Sequence, residues 1–179
     1  MSGGCFCGAV TYELTAKPMF VHACHCRDCQ IQTGGPFAIN AIIEAEHVTP
    51  RGAKLKRVTM PTESGRAHDI YRCPKCATAV WSDYGRRKVM LFVRVATLKE
   101  ARRFPPDVHI FTRSKLPCDP FAFLAENPDA GENEPLGEVM PHGPTTKKPA
   151  KVFDIYYSTT KEWPAASLKR RNAVLAKIK

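Results

Sequence analysis

The chain has 179 residues, of which 44% are hydrophobic and 25% are charged, so it is long enough for one packed domain of roughly 100 to 150 residues plus an extension. This composition excludes a disordered tail protein, and the longest apolar β-type run, Val89–Val93, is far shorter than the ~20 residues that cross a bilayer. A balance of 27 basic against 17 acidic residues gives a net charge of +10, which favours anionic partners without selecting among them. Because Met1–Cys5 lacks the basic and apolar regions of a signal peptide, we expect a soluble cytoplasmic protein with no membrane contact.

The predicted elements up to residue 100 are mostly short β-strands. Residues with high β-propensity concentrate in five segments, and the first of these alternates cleanly between apolar and polar: Val10–Leu14, Phe37–Ile43, Ile70–Tyr71, Val80–Trp81 and Val89–Val95. Turn-forming residues separate the strands at 34–36, 49–52, 63–65 and 83–85. A short helical turn is predicted across Asp28–Gln32, and no long helical pattern appears before residue 160. The core is therefore predicted to be mainly β.

The composition changes after Leu124. Residues 126–150 carry five prolines and three glycines with no aromatic residue, which indicates a linker or a loosely attached arm. Val152–Tyr157 is apolar enough to return to the body as an edge strand. A short basic helix is predicted from Pro164, with one apolar face formed by Leu168, Leu175 and Ile178. We therefore expect a domain over residues 1–125 and a C-terminal arm over residues 126–179.

The spacing of the cysteines is the sequence feature that indicates the chemistry of this protein. Seven of the eight cysteines fall in three tight clusters, which are Cys5 with Cys7, then Cys24, Cys26 and Cys29, then Cys73 with Cys76. No export signal is present, and a reducing cytosol argues against stable disulfides. Clustered thiolates are what a soft-ligand metal site needs, so the pattern predicts metal binding.

Zinc coordination divides the seven cysteines into two sites. A tetrahedral structural zinc takes four ligands, so the two pairs, Cys5 with Cys7 and Cys73 with Cys76, can form one closed site. The remaining three cysteines would leave a fourth position for water, hydroxide or substrate, and such an open position distinguishes catalytic from structural zinc. The sequence thus predicts two zinc ions per chain, one structural and one catalytic, the latter at Cys24, Cys26 and Cys29.

Other interpretations of the clusters remain open from the sequence. Both sites could be structural, with His22, His25 or a distant histidine as the fourth ligand of the second one. An iron–sulfur cluster is also an option, although three cysteines within six residues do not match common ferredoxin spacings. Disulfides and unliganded thiols are further alternatives. The most specific local signal is Cys73-Pro74-Lys75-Cys76, because proline fixes the backbone of a tight zinc knuckle.

The arrangement resembles the glutathione-dependent formaldehyde-activating enzyme family, also called the centromere-protein-V-like family of zinc proteins. The resemblance covers roughly residues 3 to 123 and rests on five segments: Gly4–Val10, Cys24–Cys29, Tyr71–Cys76, Ala96–Lys99 and His109–Lys115. It implies a mainly antiparallel β-fold of the tent type, a structural zinc at the two cysteine pairs and a second, weaker zinc at the three-cysteine cluster. It also implies a carbon–sulfur lyase activity that adds glutathione to formaldehyde to give S-hydroxymethylglutathione.

Two departures from the family pattern stand out. Ala77 follows the knuckle where the family usually has glycine, so the backbone there either avoids positive φ or stores strain. Gln30 and Ile31 follow the third cysteine where basic residues are common, which weakens an acidic-substrate contact at that point. The arm also exceeds the minimal family domain, and it could cover the open zinc, mediate a homodimer or bind another partner.

Five further residues are candidates to line the zinc site: His109, Phe37, Trp81, Arg27 and Lys115. His109 would carry a proton, and Arg27 or Lys115 would anchor a glutathione carboxylate. The favoured function is a zinc enzyme acting on glutathione and a small aldehyde. A zinc-stabilised binding module whose basic arm contacts nucleic acid or another acidic partner ranks below it, because the body lacks interleaved aromatic and basic runs. A glutathione carrier without rate enhancement ranks below both.

Overall fold

The fold consists of two β-sheets and two α-helices, taken from a computed structural model that describes residues 1–62, 65–116, 151–152 and 163–178. A three-stranded antiparallel sheet has the order β1-β2-β5, with β1 Ser2–Gly4, β2 Val10–Leu14 and β5 Val48–Gly52. The second sheet has eight strands in the order β11-β10-β3-β4-β9-β8-β7-β6. These are β3 Phe20–Cys24, β4 Ala38–Glu44, β6 Lys56–Met60, β7 His68–Arg72, β8 Ala79–Tyr84, β9 Met90–Arg94, β10 Val108–Ile110 and β11 Lys151–Val152. The prediction of a mainly β fold is confirmed.

The two faces of the larger sheet have different surroundings. Successive side chains of a strand point to opposite faces, so the register between strands decides which residues meet. Val21, Ala41 and Val93 lie on the face that packs into the main hydrophobic core, together with Tyr12 and Val10 of the smaller sheet. The residues in between lie on the other face. There the register pairs His22 with Asn40, and Asn40 with Arg94, which gives a polar row across β3, β4 and β9.

Several strands differ from the prediction. The turn expected at 49–52 is instead strand β5, which pairs residue by residue with β2. β5 is an edge strand, and an edge tolerates Pro50 because one side of the strand needs no ladder donor. The strands β1, β3, β6 and β10 lie outside the five segments predicted from β-propensity. β10 also departs from the antiparallel expectation, since it runs parallel to both β3 and β11.

Two helices complete the described fold. α1 spans Arg27–Thr33 and confirms the helical turn expected after Cys26. α2 spans Ala165–Leu175, with Pro164 at its N-cap rather than at the first helical position. Among the described residues, no helix is both long and apolar enough to cross a membrane.

The apolar face predicted for α2 is partly wrong. Val174 is the residue that the body buries, whereas Ile178 is 43% exposed. Trp163, just before the helix, stacks on Phe20 with ring centroids 4.9 Å apart, and Leu175 packs against the same second core cluster. Of the edge strand expected at 152–157, only Val152 lies within the described residues, and it pairs in β11. The linker expected at 126–150 lies outside them.

Candidate active site and metal centres

The four cysteines of the two pairs converge at one place. Cys5 and Cys7 lie in the loop between β1 and β2, and Cys73 and Cys76 follow β7. Their four sulfur atoms all lie within 4.8 Å of one another, with 3.6 Å between Cys5 and Cys7 and 3.8 Å between Cys7 and Cys73. A tetrahedral zinc with Zn–S bonds of about 2.3 Å implies sulfur separations of about 3.8 Å. Donor type, number and spacing therefore fit a closed zinc site.

Neighbouring donors support these sulfurs. The backbone N–H of Val10 donates to Cys5 Sγ at 3.3 Å, and the N–H of Lys75 approaches Cys73 Sγ at 3.4 Å. The hydroxyl of Thr78 contacts Cys76 Sγ at 3.1 Å, and this hydrogen bond, together with backbone donors, lowers the pKa of Cys76 to about 5. Such contacts stabilise thiolates and orient them for a metal. The knuckle also contains backbone strain, because Ala77 has φ 59°.

The three remaining clustered cysteines converge at a second place. Cys24 ends β3, Cys26 is the N-cap of α1, and Cys29 lies in the first turn of that helix. Their sulfurs lie within 4.8 Å of one another, with 3.4 Å between Cys24 and Cys26, and Cys26 Sγ accepts the N–H of Cys29. Hydrogen bonds from the thiols of Cys24 and Cys29 hold the pKa of Cys26 far below its usual range. The cluster thus has the donor set of a metal site with three protein ligands.

No histidine joins either cluster within the described residues. The alternative in which His22 or His25 closes the second site is therefore not supported. The side chain of His22 is instead hydrogen-bonded to Asn40, and His25 is hydrogen-bonded to His109. Among the described residues, the second cluster therefore has three candidate ligands, all of them cysteines.

A cavity of about 420 Å³ opens on the three-cysteine cluster. Its size is within the ordinary range for small-molecule sites. All three cysteines of this cluster line it, and none of the other four does. The remaining lining residues are His22, Arg27, Asp28, Asn40, Thr62, Arg66, His68, Ser82, Tyr84, Phe92, Arg94, Phe111, Arg113 and Ser114.

The cavity lies on the polar face of the large sheet and is covered by α1 and by the turn at 112–114. Gln30 links α1 to this turn, because its side-chain amide donates to the backbone carbonyls of His25 and Ser114 at 2.8 and 2.7 Å. Gln30 is 4% exposed. Its role is therefore to fix the wall of the cavity, which explains an uncharged residue where the family pattern favours a basic one.

The floor of the cavity contains the row Arg94, Asn40 and His22, all buried. Arg94 Nη1 donates to Asn40 Oδ1 at 2.6 Å, so the amide nitrogen of Asn40 faces His22 Nε2 at 3.0 Å and donates to it. His22 Nε2 must then be unprotonated, and the ring carries its proton on Nδ1. Burial and the nearby charge of Arg94 lower the pKa of His22 to about 4, in agreement with a neutral ring.

Of the five residues predicted to line the zinc site, one lines the cavity and four do not. Arg27 lines the cavity, as expected. His109 does not: it is 2% exposed and its Nδ1 lies 2.8 Å from Nε2 of His25. Phe37 packs against His25 at a centroid distance of 5.1 Å, and Trp81 belongs to the main core. Lys115 lies two residues beyond the lining residue Arg113 and does not line the cavity itself.

Sequence reasoning missed the polar side chains that form most of the cavity. Asn40 and Arg94 interrupt strongly apolar strand segments, and polar residues within such segments are the one signal that could have marked them. His68 and Ser82 were hidden in strands that were only partly predicted. Arg66 and Arg113 lie outside strands, where exposed arginines carry no signal.

Three comparisons place the chain among known proteins. The profile of the family described as "Glutathione-dependent formaldehyde-activating enzyme" matches residues 1–114. No curated protein matches the chain. A crystal structure of a Rhodobacter sphaeroides protein is similar at 25% identity and a TM-score of 0.44, over 55% of this chain and 88% of that one.

Proposed function

The chain belongs to the glutathione-dependent formaldehyde-activating enzyme family, and from this premise we propose that it condenses glutathione with formaldehyde to S-hydroxymethylglutathione. In class this is a carbon–sulfur lyase-type reaction. One observation supports it above the others, which is the convergence of Cys24, Cys26 and Cys29 at a cavity large enough for a small substrate.

Two zinc ions per chain are part of this proposal. Cys5, Cys7, Cys73 and Cys76 would hold a structural zinc, since four thiolates complete its tetrahedral coordination. Cys24, Cys26 and Cys29 would hold a catalytic zinc, which when bound supplies Lewis-acid polarisation of an aldehyde oxygen or stabilisation of a thiolate.

The charge of the cavity suits glutathione, which is a net anion with two carboxylates. Arg27, Arg66, Arg94 and Arg113 line the cavity, and among the described residues Asp28 is the one acidic side chain that lines it. Exposed arginines at the mouth can bind carboxylates in the two-pronged geometry that the guanidinium group favours. Arg27 therefore remains a proposed carboxylate anchor, now together with Arg66 and Arg113.

The reaction is balanced without any oxidant or reductant. The sulfur of glutathione forms a bond to the carbonyl carbon, and the π pair of the C=O bond moves to the oxygen. The proton lost by the thiol is regained by that oxygen, which gives the hydroxymethyl product. The buried side chains of the cavity floor, Arg94, Asn40 and His22, would limit the access of bulk water to this step.

A cytoplasmic location fits the proposal, because the seven described cysteines form no disulfide, and clustered cysteines in a reducing compartment are more often metal ligands than disulfide partners. The boundary at residue 125 and a homodimer formed through the arm also remain predictions. The family match ends at residue 114, which is consistent with a separate role for the arm.

The nucleic-acid alternative loses support from the position of the C-terminal helix. Arg170 and Lys177 are two of the basic residues that motivated it. They pair with Glu44 and Glu46 of the body at 2.7 and 3.0 Å. Paired in this way, they offer less charge to phosphates than the sequence suggests.

The test measures the rate of exchange between formaldehyde and glutathione in the presence of zinc-loaded protein, and NMR exchange spectroscopy is the method of detection. We expect the wild type to accelerate formation of the adduct and Cys29→Ser to abolish that acceleration while keeping the fold. Ile31→Ser is the matched control on the same helix, since Ile31 is 63% exposed and does not line the cavity. Equal exchange rates for wild type and Cys29→Ser would refute the proposed mechanism.

A further inference from the structure

Arg94 is a buried cation for which the described part of the chain supplies no carboxylate partner. Its exposure is 7%, and within the described residues it forms no ion pair. Its one side-chain hydrogen bond is the contact from Nη1 to Asn40, and the enclosed Nε has no acceptor among the described residues. A guanidinium group has five N–H donors, and a buried charge is normally paired. Such a side chain is costly for stability, so a role in ligand binding would explain its presence.

The position of Arg94 suits that role. It lines the same cavity as the three-cysteine cluster, and it is held from one side by Asn40, which is in turn held by His22. Its charge acts on the groups around it, because after burial it is the second cause that lowers the pKa of both His22 and His68. The guanidinium group therefore lies at the floor of the cavity with donors that no described protein group accepts.

The other arginines of the cavity differ from Arg94 in exposure. Arg27, Arg66 and Arg113 are exposed, so they can reach the carboxylates of an extended substrate at the mouth. Only a small reactant, or the reacting end of a larger one, fills the enclosed floor. On the proposed function, the mouth would recognise the tripeptide and the floor would recognise the one-carbon unit.

We propose that Arg94 binds the aldehyde-derived oxygen as it becomes anionic, with Asn40 and His22 as positioning residues; this inference presupposes the proposed function. When the C–S bond forms, the π pair of the carbonyl group moves to the oxygen, and a fixed cation in an enclosed site stabilises that charge. The oxygen then takes the proton that the thiol released. Formate imitates this species because it carries anionic oxygen on a single carbon.

The first experiment measures formate binding to the zinc-loaded full chain by titration calorimetry. We expect saturable binding in the wild type, at least tenfold weaker binding in Arg94→Met and an intermediate value in Arg94→Lys. Arg102→Met is the matched control, because this exposed arginine does not line the cavity, and its formate affinity should stay within twofold. Formate binding by zinc-replete Arg94→Met at wild-type affinity would overturn the inference.

Asn40→Asp tests the same idea without removing the arginine. The new carboxylate would supply a partner for Arg94 in an almost isosteric side chain, and a shift of the His22 ring proton to Nε2 would let that ring donate to it, so we expect a folded protein that no longer binds formate. The zinc content of every variant is counted by native mass spectrometry. Loss of one zinc in Arg94→Met, but not in Arg94→Lys, would assign Arg94 to charge balance of the thiolate cluster and contradict an oxygen-binding role.

A third titration uses S-methylglutathione, whose blocked sulfur prevents reaction. Its affinity should change less than threefold in Arg94→Met, because the mouth arginines bind its carboxylates. If S-methylglutathione binding is lost while formate binding is retained, Arg94 binds the tripeptide and the inference fails. Formate titration needs no turnover, so an inactive wild type that binds formate through Arg94 would refute the proposed function but not the anion site.

Discussion

Arg170 of α2 forms a two-pronged ion pair with Glu44 at the end of β4, with Nε and Nη2 donating to the two carboxylate oxygens at 2.8 and 2.7 Å. Glu44 is 4% exposed, and the same arginine also donates to the carbonyl of Lys17. The helix lies beyond residues 1–114, which match the family profile. A segment outside the family domain is therefore fastened to the central sheet by a buried charge.

Replacing Arg170 should destabilise the protein. Arg170→Met leaves the buried Glu44 without its partner, and we expect a loss of about 2 kcal/mol after allowing for the partial exposure of Arg170. Lys177→Met is the matched control, because the pair Lys177–Glu46 is exposed and should contribute less than about 1 kcal/mol. Urea denaturation measures both. Equal losses of unfolding free energy in the two variants would show that the buried pair with Glu44 stabilises the protein no more than the exposed pair does.

The two cysteine clusters should respond differently to serine substitution. Cys26→Ser removes one of three ligands from the cavity cluster, so native mass spectrometry should find one zinc per folded chain instead of two. Cys73→Ser removes a buried ligand of the closed site, so it should lower the melting temperature strongly, as expected where metal binding is coupled to folding. A Cys73→Ser protein as stable as Cys26→Ser would contradict the division into structural and open sites.

Ala77→Gly should stabilise the protein. Ala77 has φ 59°, a conformation that glycine adopts without steric cost, so relief of strain should add about 1 kcal/mol to the free energy of unfolding. The control is Ala173→Gly at an exposed position inside α2, where the same change should cost about 1 kcal/mol. Thermal or chemical denaturation of both variants shows whether each change raises or lowers the free energy of unfolding. A destabilised Ala77→Gly protein would mean that the strain is absent in solution.

His68 should make stability depend on pH. Burial, with a contribution from Arg94, lowers the pKa of His68 to about 4 from an ordinary value near 6.5. Between these values the unfolded chain binds a proton that the folded chain does not, so stability falls as the pH drops from 6.5 to 4. The slope of this contribution is at most about 1.4 kcal/mol per pH unit.

The measurement compares wild type with His68→Gln at each pH, because acid release of zinc then affects both proteins. We expect the stability difference to shift in favour of the variant as the pH falls through this window. His68 also packs edge-on against Tyr84 with centroids 5.6 Å apart, and loss of this contact gives an offset that does not vary with pH. A stability difference that is flat from pH 7 to pH 4.5 would rule out a depressed pKa.

The cysteine clusters and β2 could be predicted because their signals are local. Spacing within a few residues defines each cluster, and β2 alternates between buried and exposed positions along all five of its residues. β3 escaped prediction because both of its faces are buried, which removes the alternation, and because His22 interrupts its apolar run. The row from His22 to Arg94 depends on which strands are neighbours, and that order is a property of the whole chain.

The parallel pairing of β10 with β3 sets an order in which the two cysteine clusters can assemble during synthesis. The closed cluster is complete once residue 76 has left the ribosome. The cavity cluster uses earlier cysteines, but Cys24 pairs with Ile110 and its cluster packs against Phe111, so its surroundings are complete only after Phe111 has also left the ribosome. We expect a nascent chain between these points to hold one finished cluster and one unshielded trio of thiols, which is the form most vulnerable to oxidation or to a wrong metal.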